Sequence, residues 1–320
     1  MRSSTTFDPA QAMSPAGSHS SLTHRLAWLL CAATAVLLTA GALVTGTGSS
    51  LAVPDWPLAY GRFFPPMVGG ILFEHGHRMI AAAVGLVSLA LALSLQFGER
   101  RRWVRNLGWG AVALVLFQGL LGGITVLLLL PRAVSISHAL FAQLFFLVTV
   151  ALVQVTAPGW ARIVSGVGPR ERSLAPLGSA ALFALLGQLV LGAAVRHSNA
   201  GLAIPDFPLS YGALIPPLDS FPVLIHFLHR LGAVVVLVLV ALVCARSWRL
   251  GTASPLHRPA LAMAGLLTAQ FVLGATVIWS QKAVAVTTAH VVVGALLLGA
   301  TGLLTLRALA ASPSLAGGTR

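Results

Sequence analysis

The stretch FEHGHRMIAAAVGLVSLALAL, residues 73–93, places a carboxylate, two imidazoles and a guanidinium at the start of a long apolar run. The run is long enough to cross the hydrocarbon core of a bilayer as a helix. An ionisable side chain near hydrocarbon is costly unless another group satisfies it. The stretch therefore predicts a transmembrane helix whose polar end meets a partner other than lipid.

The chain contains seven further apolar runs of similar length. It has 320 residues, of which 57% are hydrophobic and only 8% charged, a composition typical of polytopic membrane proteins. Helices are expected because open sheet edges do not occur in lipid and the runs lack the alternation of barrel strands. The fold class predicted is an all-α membrane protein with eight transmembrane helices. The predicted spans are approximately residues 26–46, 71–97, 107–130, 133–157, 174–195, 222–246, 260–280 and 283–308.

The net charge of +13 is distributed unevenly between the two sides of this layout. Fourteen of the twenty Lys and Arg fall on the side of the chain ends, four on the other side, and two inside the spans. This is the positive-inside pattern, so we expect a multi-pass protein of the cell membrane with both termini cytoplasmic. The basic charge is a topology signal, and membrane lipid rather than nucleic acid is the expected surrounding.

The sequence contains an internal duplication. Residues 48–67, GSSLAVPDWPLAYGRFFPPM, correspond to residues 199–218, NAGLAIPDFPLSYGALIPPL, with identical residues 151 positions apart. One residue is then inserted and the spacing becomes 152, which relates His77-Arg78 to His229-Arg230 and His138 to His290. Four crossings return the chain to its starting side, so the sequence predicts two four-helix bundles related by an axis along the membrane normal.

The repeat sets the expected domain boundaries. Residues 26–157 form the first four-helix repeat and residues 174–308 the second, joined by a cytoplasmic linker at 158–173. Residues 1–25, rich in Ser, Thr and Pro, are expected to be a disordered cytoplasmic tail, and residues 309–320 a second tail.

Four histidines form two pairs matched by the repeat. His77 and His138 each lie a few residues into their spans, at roughly 8–9 Å depth for a rise of 1.5 Å per residue, and His229 and His290 repeat this. Imidazoles at one level on alternate helices suit the two axial ligands of a haem. The alternatives are packed histidines that bond a neighbouring helix, or a non-haem di-metal centre, which usually needs more ligands.

Two arginines and one carboxylate stand beside these histidines. Arg78 and Arg230 each follow a candidate ligand, where they could pair with haem propionates or extend to the membrane interface. Glu74 precedes His77 by three residues, whereas the corresponding residue of the second half is His226. This asymmetry suggests that one haem carries electrons while the other undergoes chemistry near Glu74. Alternatively, Glu74 pairs with the helix dipole or with Arg78.

Three helices carry a Gln-x-x-x-Gly pattern, which is typical of close helix contacts with a polar tie across them. The patterns begin at Gln118, Gln188 and Gln270.

These motifs together resemble the haem A synthase family. The similarity comprises Glu74-x-x-His77-Arg78, the loop SSLAVPDWPLAYG, the QxxLG-type helices, and SHALFAQ and TAHVVVGA around His138 and His290. It covers residues 25–308 and implies oxidation of the C8 methyl group of haem O to a formyl group, through two hydroxylations and a dehydration. It also implies that Glu74 supports this oxidation, that His77 and His138 hold the substrate haem, and that His229 and His290 ligate a prosthetic haem b.

Part of the family pattern is absent. Many members carry a cysteine pair in the outer loop, around the positions of Val53 and Ala59, and this chain has none there or near Ile204 and Ser210. A loop disulfide is therefore not expected to take part in its chemistry.

Other functions remain open at this stage. One is a di-haem b-type electron carrier or quinol oxidoreductase, and another is a parallel-repeat transporter. If the chain is a haem A synthase, its expected partners are a haem O synthase, an unidentified electron donor and a second copy of the chain.

Overall fold

The computed structural model describes residues 21–310. Residues 1–20 and 311–320, which hold most of the two predicted tails, lie outside this range. The described chain contains ten helices: α1 (Ser21–Gly46), α2 (Gly69–Gly98), α3 (Arg102–Leu127), α4 (Arg132–Thr156), α5 (Trp160–Ser165), α6 (Pro169–Arg172), α7 (Ala175–His197), α8 (Phe221–Trp248), α9 (His257–Trp279) and α10 (Val284–Leu309).

Eight segments of residues 21–310 are long and apolar enough to cross a membrane, as predicted. They are α1 to α4, α6 with α7, and α8 to α10. The largest differences from the predicted spans are at the starts of α1 and α3, where helix begins at Ser21 and Arg102 instead of near residues 26 and 107. A helix extends past its apolar run because its backbone hydrogen bonds stay satisfied while basic side chains reach toward the headgroups. Residues 21–25, expected in the tail, are therefore helical.

The predicted linker, residues 158–173, contains the two short helices α5 and α6. In α6, Glu171 accepts a hydrogen bond from the backbone N–H of Gly168 at 3.0 Å, which satisfies one free donor at the start of this turn.

The long helices pack as two rings of four. In the first half α1 contacts α2, α2 contacts α3, α3 contacts α4, and α4 closes on α1; α7, α8, α9 and α10 repeat the same cycle. Each half has its own buried core, with Leu30, Leu91 and Leu152 in the first and Met263 and Leu298 in the second. These contacts agree with a duplicated four-helix bundle.

The halves meet through α1 and α4 on one side and α7 and α10 on the other. Small residues of α10 let α4 approach closely: a Cβ added at Gly299 would lie 3.1 Å from Phe146. At one end of this interface, Arg307 donates to the side-chain oxygen of Gln154 at 2.7 Å. This hydrogen bond joins α4 and α10, the last helices of the two halves.

Four connections lie together at one end of the bundle, which we call the loop face. They are residues 47–68, 128–131, 198–220 and 280–283. The longer two, residues 47–68 and 198–220, are called the first and second loops. The chain segments rich in arginine lie at the opposite end.

Candidate functional site

Each long loop is folded around an aspartate. Asp55 accepts hydrogen bonds from the backbone N–H groups of Tyr60 at 2.7 Å and Gly61 at 2.8 Å, and both of these residues have positive φ. The Tyr60 hydroxyl donates back to the Ala52 carbonyl at 2.7 Å. Asp206 repeats the pattern in the second loop with Tyr211 and Gly212 at 2.7 and 2.8 Å.

These backbone donors set the protonation of the loop aspartates. The N–H groups of Gly61 and Tyr60 hold the pKa of Asp55 below its usual value, and those of Gly212 and Tyr211 do the same for Asp206. Each carboxylate is therefore ionised at neutral pH and holds its turn closed.

The first loop is held against α2 by side chains at the start of that helix. Arg78 donates to the carbonyls of Asp55 at 2.7 Å, Leu58 at 3.0 Å and Val53 at 3.2 Å. Glu74, which is buried, accepts the Val53 N–H at 2.8 Å through one oxygen and pairs with Arg78 at 2.6 Å through the other. The alternative partner predicted for Glu74 is thus present.

The second loop is held in nearly the same way against α8. Arg230 donates to the carbonyls of Asp206 at 2.7 Å, Leu209 at 2.9 Å and Ile204 at 3.2 Å. His226 takes the place of Glu74: its Nδ1 accepts the Ile204 N–H at 3.2 Å. The sequence suggested haem propionates as possible partners of Arg78 and Arg230. In the structure both guanidiniums are bonded to loop carbonyls.

His75 gives the first loop a further contact. Its ring Nε2 lies 2.9 Å from the carbonyl oxygen of Phe63. The corresponding residue of the second half is Phe227, which carries no polar group. The first loop is therefore tied at one more point than the second.

An aromatic residue seats each loop on a helix of its own half. Trp56 lies against Gly123 of α3, where an added Cβ would lie 2.6 Å from the indole ring. In the second half the smaller ring of Phe207 lies edge-on to Phe271 and Trp279 of α9. The residue between these two that corresponds to Gly123 is Ala275. The larger ring of Trp56 is thus combined with glycine in the first half, and the smaller ring of Phe207 with alanine in the second.

Each of the four candidate iron ligands rests against a glycine of the neighbouring helix. An added Cβ at Gly41 would lie 3.1 Å from Cε1 of His77, and one at Gly192 would lie 3.1 Å from Cε1 of His229. Gly122 and Gly274 stand in the same relation to His138 and His290, at 3.4 and 3.3 Å. The absence of a side chain at these four positions lets each imidazole approach the helix backbone.

One turn before each glycine, a backbone group lies within hydrogen-bonding reach of the same imidazole. These groups belong to Leu37 for His77, Gln118 for His138, Gln188 for His229 and Gln270 for His290. A ligating histidine commonly directs one ring N–H toward a backbone carbonyl, which leaves the other nitrogen for the metal.

The glutamines of the three Gln-x-x-x-Gly patterns connect helices through these histidines. The Gln118 amide donates to the His138 carbonyl at 2.8 Å, and Gln188 donates to the His229 carbonyl at 2.8 Å. Gln270 lies 3.4 Å from the ring of His290. The pattern is a close helix contact, as predicted, and the residue that it contacts is a candidate iron ligand.

Three of these four histidines have a buried Nδ1 without a hydrogen bond of good geometry: His77, His138 and His290. Nδ1 of His229 instead lies 3.0 Å from the Gln188 amide. An imidazole that turns Nδ1 toward the neighbouring helix keeps Nε2 for a metal, so the four buried rings suit axial ligation of a haem iron.

Other ligand sets are less suitable in the described chain. Within residues 21–310 no group of three or more His, Cys, Asp or Glu side chains could hold a metal ion together. The two cysteines, Cys31 and Cys244, are free. The loop positions at which the family resemblance suggested cysteines are filled by Val53, Ala59, Ile204 and Ser210, all of them buried.

Sequence reasoning did not identify Gly41, the glycine that seats the histidine of α2. Its counterpart Gly192 belongs to the predicted Gln188-x-x-x-Gly192 contact, and the two glycines are 151 positions apart, so the repeat was a detectable signal for Gly41. The role of Gly41 was hidden because α1 carries several small residues, and only packing shows which of them faces an imidazole.

Comparison with known proteins gives a consistent set of relatives. Residues 68–301 match the model of a family described as cytochrome oxidase assembly protein. A protein of Symbiobacterium thermophilum named heme A synthase is 36% identical over 254 residues, 76% of this chain and 82% of that protein. Proteins of the same name from Alkalihalophilus pseudofirmus and Shewanella oneidensis are 29% and 30% identical, over 85% and 78% of this chain and 92% and 86% of their own lengths.

Proposed function

This chain belongs to the family described as cytochrome oxidase assembly proteins, and from that premise we propose that it is a haem A synthase. The reaction proposed is oxidation of the C8 methyl group of haem O to a formyl group, which gives the haem A of terminal oxidases. The proposal rests on relatives named heme A synthase that align with most of the chain.

The first half is the proposed substrate site, with haem O between His77 and His138. The second half is the proposed site of a permanent haem b, with His229 and His290 as its axial ligands. Support comes from the four glycines that seat the buried imidazoles and from the unpartnered Nδ1 atoms of His77, His138 and His290. Haem b, when bound, supplies a one-electron carrier close to the substrate.

Glu74 is the proposed catalytic residue because it is the main chemical difference between the two halves. His226 makes the same contact with a loop amide, so loop attachment alone does not require a carboxylate. A carboxylate one helical turn from His77 can accept protons released as the methyl group is oxidised. Its ion pair with Arg78 and the hydrogen bond from the Val53 N–H hold the carboxylate in one orientation.

Arg78 and Arg230 are proposed to close the loops over the two haem sites. Each guanidinium spans several carbonyls of its loop, an arrangement that excludes water from the space beneath. This replaces the propionate role considered from sequence, because their donors are already used by the loops.

The surroundings follow from the eight apolar segments. We propose that the loop face lies on the outer side of the cell membrane and that both termini lie in the cytoplasm, as the arginine distribution indicates. Substrate haem O would enter from the lipid or from a haem O synthase, and a separate electron donor would dock on the protein.

Haem extraction tests the proposed reaction. The protein is expressed in cells that make haem O but lack any other haem A synthase, and the extracted haems are separated by chromatography. Haem A, or its alcohol precursor, is the expected new product. Recovery of haem b alone from a well-expressed protein would support a di-haem electron carrier instead, and recovery of no haem would remove both readings.

A further inference from the structure

A cavity lies at the loop face, at the junction of the two halves. Its volume is about 320 Å³. Thr45 and Ser50 line it from the first half at the end of α1, together with Leu130 and Arg132 before and at the start of α4. The end of α7 closes it from the second half, with Arg196, His197 and Asn199.

The lining is basic and lacks a carboxylate. Arg132 and Arg196 bring two guanidiniums, and His197 adds an imidazole. Arg196 donates only to the Ala42 carbonyl, at 3.3 Å, and no carboxylate within residues 21–310 pairs with either guanidinium. Arg132 is exposed, but Arg196 is half-buried, and a half-buried cation is costly without a counter-charge, so the cavity favours an anion beside Arg196.

The same cavity lies near candidate iron ligands of both halves. Arg132 of the cavity lies six residues before His138 on α4. An added Cβ at Gly46 would lie 3.9 Å both from Arg196 Nη2 and from the hydroxyl of Thr288. That hydroxyl is buried without a hydrogen bond, two residues before His290. An unused hydroxyl donor thus lies beside the same glycine as the Arg196 guanidinium.

The basic groups of the cavity are not duplicated. The residues that correspond to Arg196 and His197 in the first half are Thr45 and Gly46. The residue that corresponds to Arg132 in the second half is Val284. Two equivalent haem sites would each be expected to carry their own cations, so a single basic cavity between them points to a shared role.

We propose that this cavity binds the propionate carboxylates of the haems, and that it receives them from both halves. The inference rests on the proposed function, since it needs a haem in each half. Arg78 and Arg230 have their donors bonded to the loops, whereas Arg132 and Arg196 have donors to spare. A guanidinium holds a carboxylate through paired hydrogen bonds, and Thr288 can donate a further one.

Binding of haem b and of haem b dimethyl ester to the purified full-length protein, after its haem is removed, tests the proposal. The variants are Arg196→Gln and, as a matched control, Arg62→Gln, an exposed arginine of the first loop outside the cavity. The readouts are the Soret titration, which gives affinity, and the dissociation rate of the bound haem. The spectrum checks that both axial ligands are retained.

In the unchanged protein, the diester should bind on the order of tenfold more weakly than the free acid, the effect expected for one charge-assisted hydrogen-bonded pair. Arg196→Gln should weaken the free acid by about the same factor and leave the diester unchanged, and Arg62→Gln should alter neither. Equal affinity of acid and diester, or equal weakening of both by Arg196→Gln, would overturn the proposal.

The outcomes also separate this proposal from the proposed function. A protein that prefers the free acid through Arg196 yet yields no haem A would refute the function and keep the carboxylate site. A protein that yields haem A but shows no dependence on Arg196 would refute the carboxylate site alone.

Discussion

Glu74 and His226 occupy equivalent positions in the two halves and make the same contact. Glu74 accepts the N–H of Val53 at 2.8 Å, and His226 accepts the N–H of Ile204 at 3.2 Å. Duplication has therefore kept the attachment of the loop while changing the chemistry of the residue that attaches it. Glu74 differs in that it also pairs with its arginine.

Exchange of these two residues should separate attachment from catalysis. Glu74→His should keep the loop contact and bound haem but lower formyl production by roughly 10²- to 10⁴-fold, the range for loss of a positioned proton acceptor. Haem extraction after growth measures the product, and limited proteolysis of the first loop measures attachment. His226→Glu is the matched control and should keep activity. Wild-type conversion of haem O by Glu74→His would end the catalytic assignment of Glu74.

Removal of single imidazoles should affect the two haems differently. His229→Ala or His290→Ala should deplete haem b, because one axial ligand is lost, whereas His77→Ala or His138→Ala should spare it and prevent retention of haem O. Pyridine haemochrome spectra and chromatography of the purified variants measure each haem. His257→Ala, at the end opposite the loop face, should change neither content. Undiminished haem b in both second-half variants would contradict the assignment.

Alanine at the glycine seat of His229 should weaken haem b binding. The Cβ introduced by Gly192→Ala lies 3.1 Å from Cε1 of His229, and overpacking of this kind costs about 1–3 kcal/mol. Gly187→Ala on the same helix introduces its Cβ into open space and should leave the haem content unchanged. Haem b occupancy and the position of the Soret band compare the two. Identical behaviour of the two variants would mean that Gly192 does not position the imidazole.

The damage caused by a larger residue at Gly123 should be repaired by a smaller ring at position 56, as in the second half. Gly123→Ala places a Cβ 2.6 Å from the indole and should displace the first loop, at a cost of about 1–3 kcal/mol. Adding Trp56→Phe to this variant should restore the loop, since the second half combines Phe207 with Ala275. Thermal unfolding of the singles and the double variant gives the coupling free energy. Additive effects would show that the two positions do not interact.

The closed loops should open in acid but not at neutral pH. Backbone donors hold the pKa of Asp55 below its usual 3.8, so ionised Asp55 stabilises the turn at every pH above that value. The stabilisation disappears as pH falls through the lower pKa of the folded loop. The protection factors of the Tyr60 and Gly61 amides, which compare the observed with the intrinsic exchange rate at each pH, should therefore stay high above about pH 4 and fall below it. In Asp55→Asn the pH dependence should vanish, and a break near neutral pH would contradict the role given to Asp55.

Much of the architecture could be predicted because it depends on local and periodic properties of the chain. Apolar length predicts each span, and the helix ends differ by a few residues where basic flanks such as Arg102 continue the helix. The repeat alone relates His77 to His229 and His138 to His290. The Gln-x-x-x-Gly patterns marked three helix contacts, but the seat of His77 on Gly41 was not predictable, since nothing near this glycine distinguishes it from the other small residues of α1.

Sequence alone determined the number of apolar segments and the spacing that matches His77 and His138 with His229 and His290, because hydropathy and spacing are properties of the order of residues. Only the tertiary structure decided which groups the buried cations meet. Arg78 and Arg230 bond to loops more than twenty residues away in the chain, whereas Arg196 lies in a cavity whose other wall belongs to the first half. A charge inside a membrane protein takes its role from the groups that packing brings to it, and that packing joins segments too distant in sequence for a local pattern to reveal.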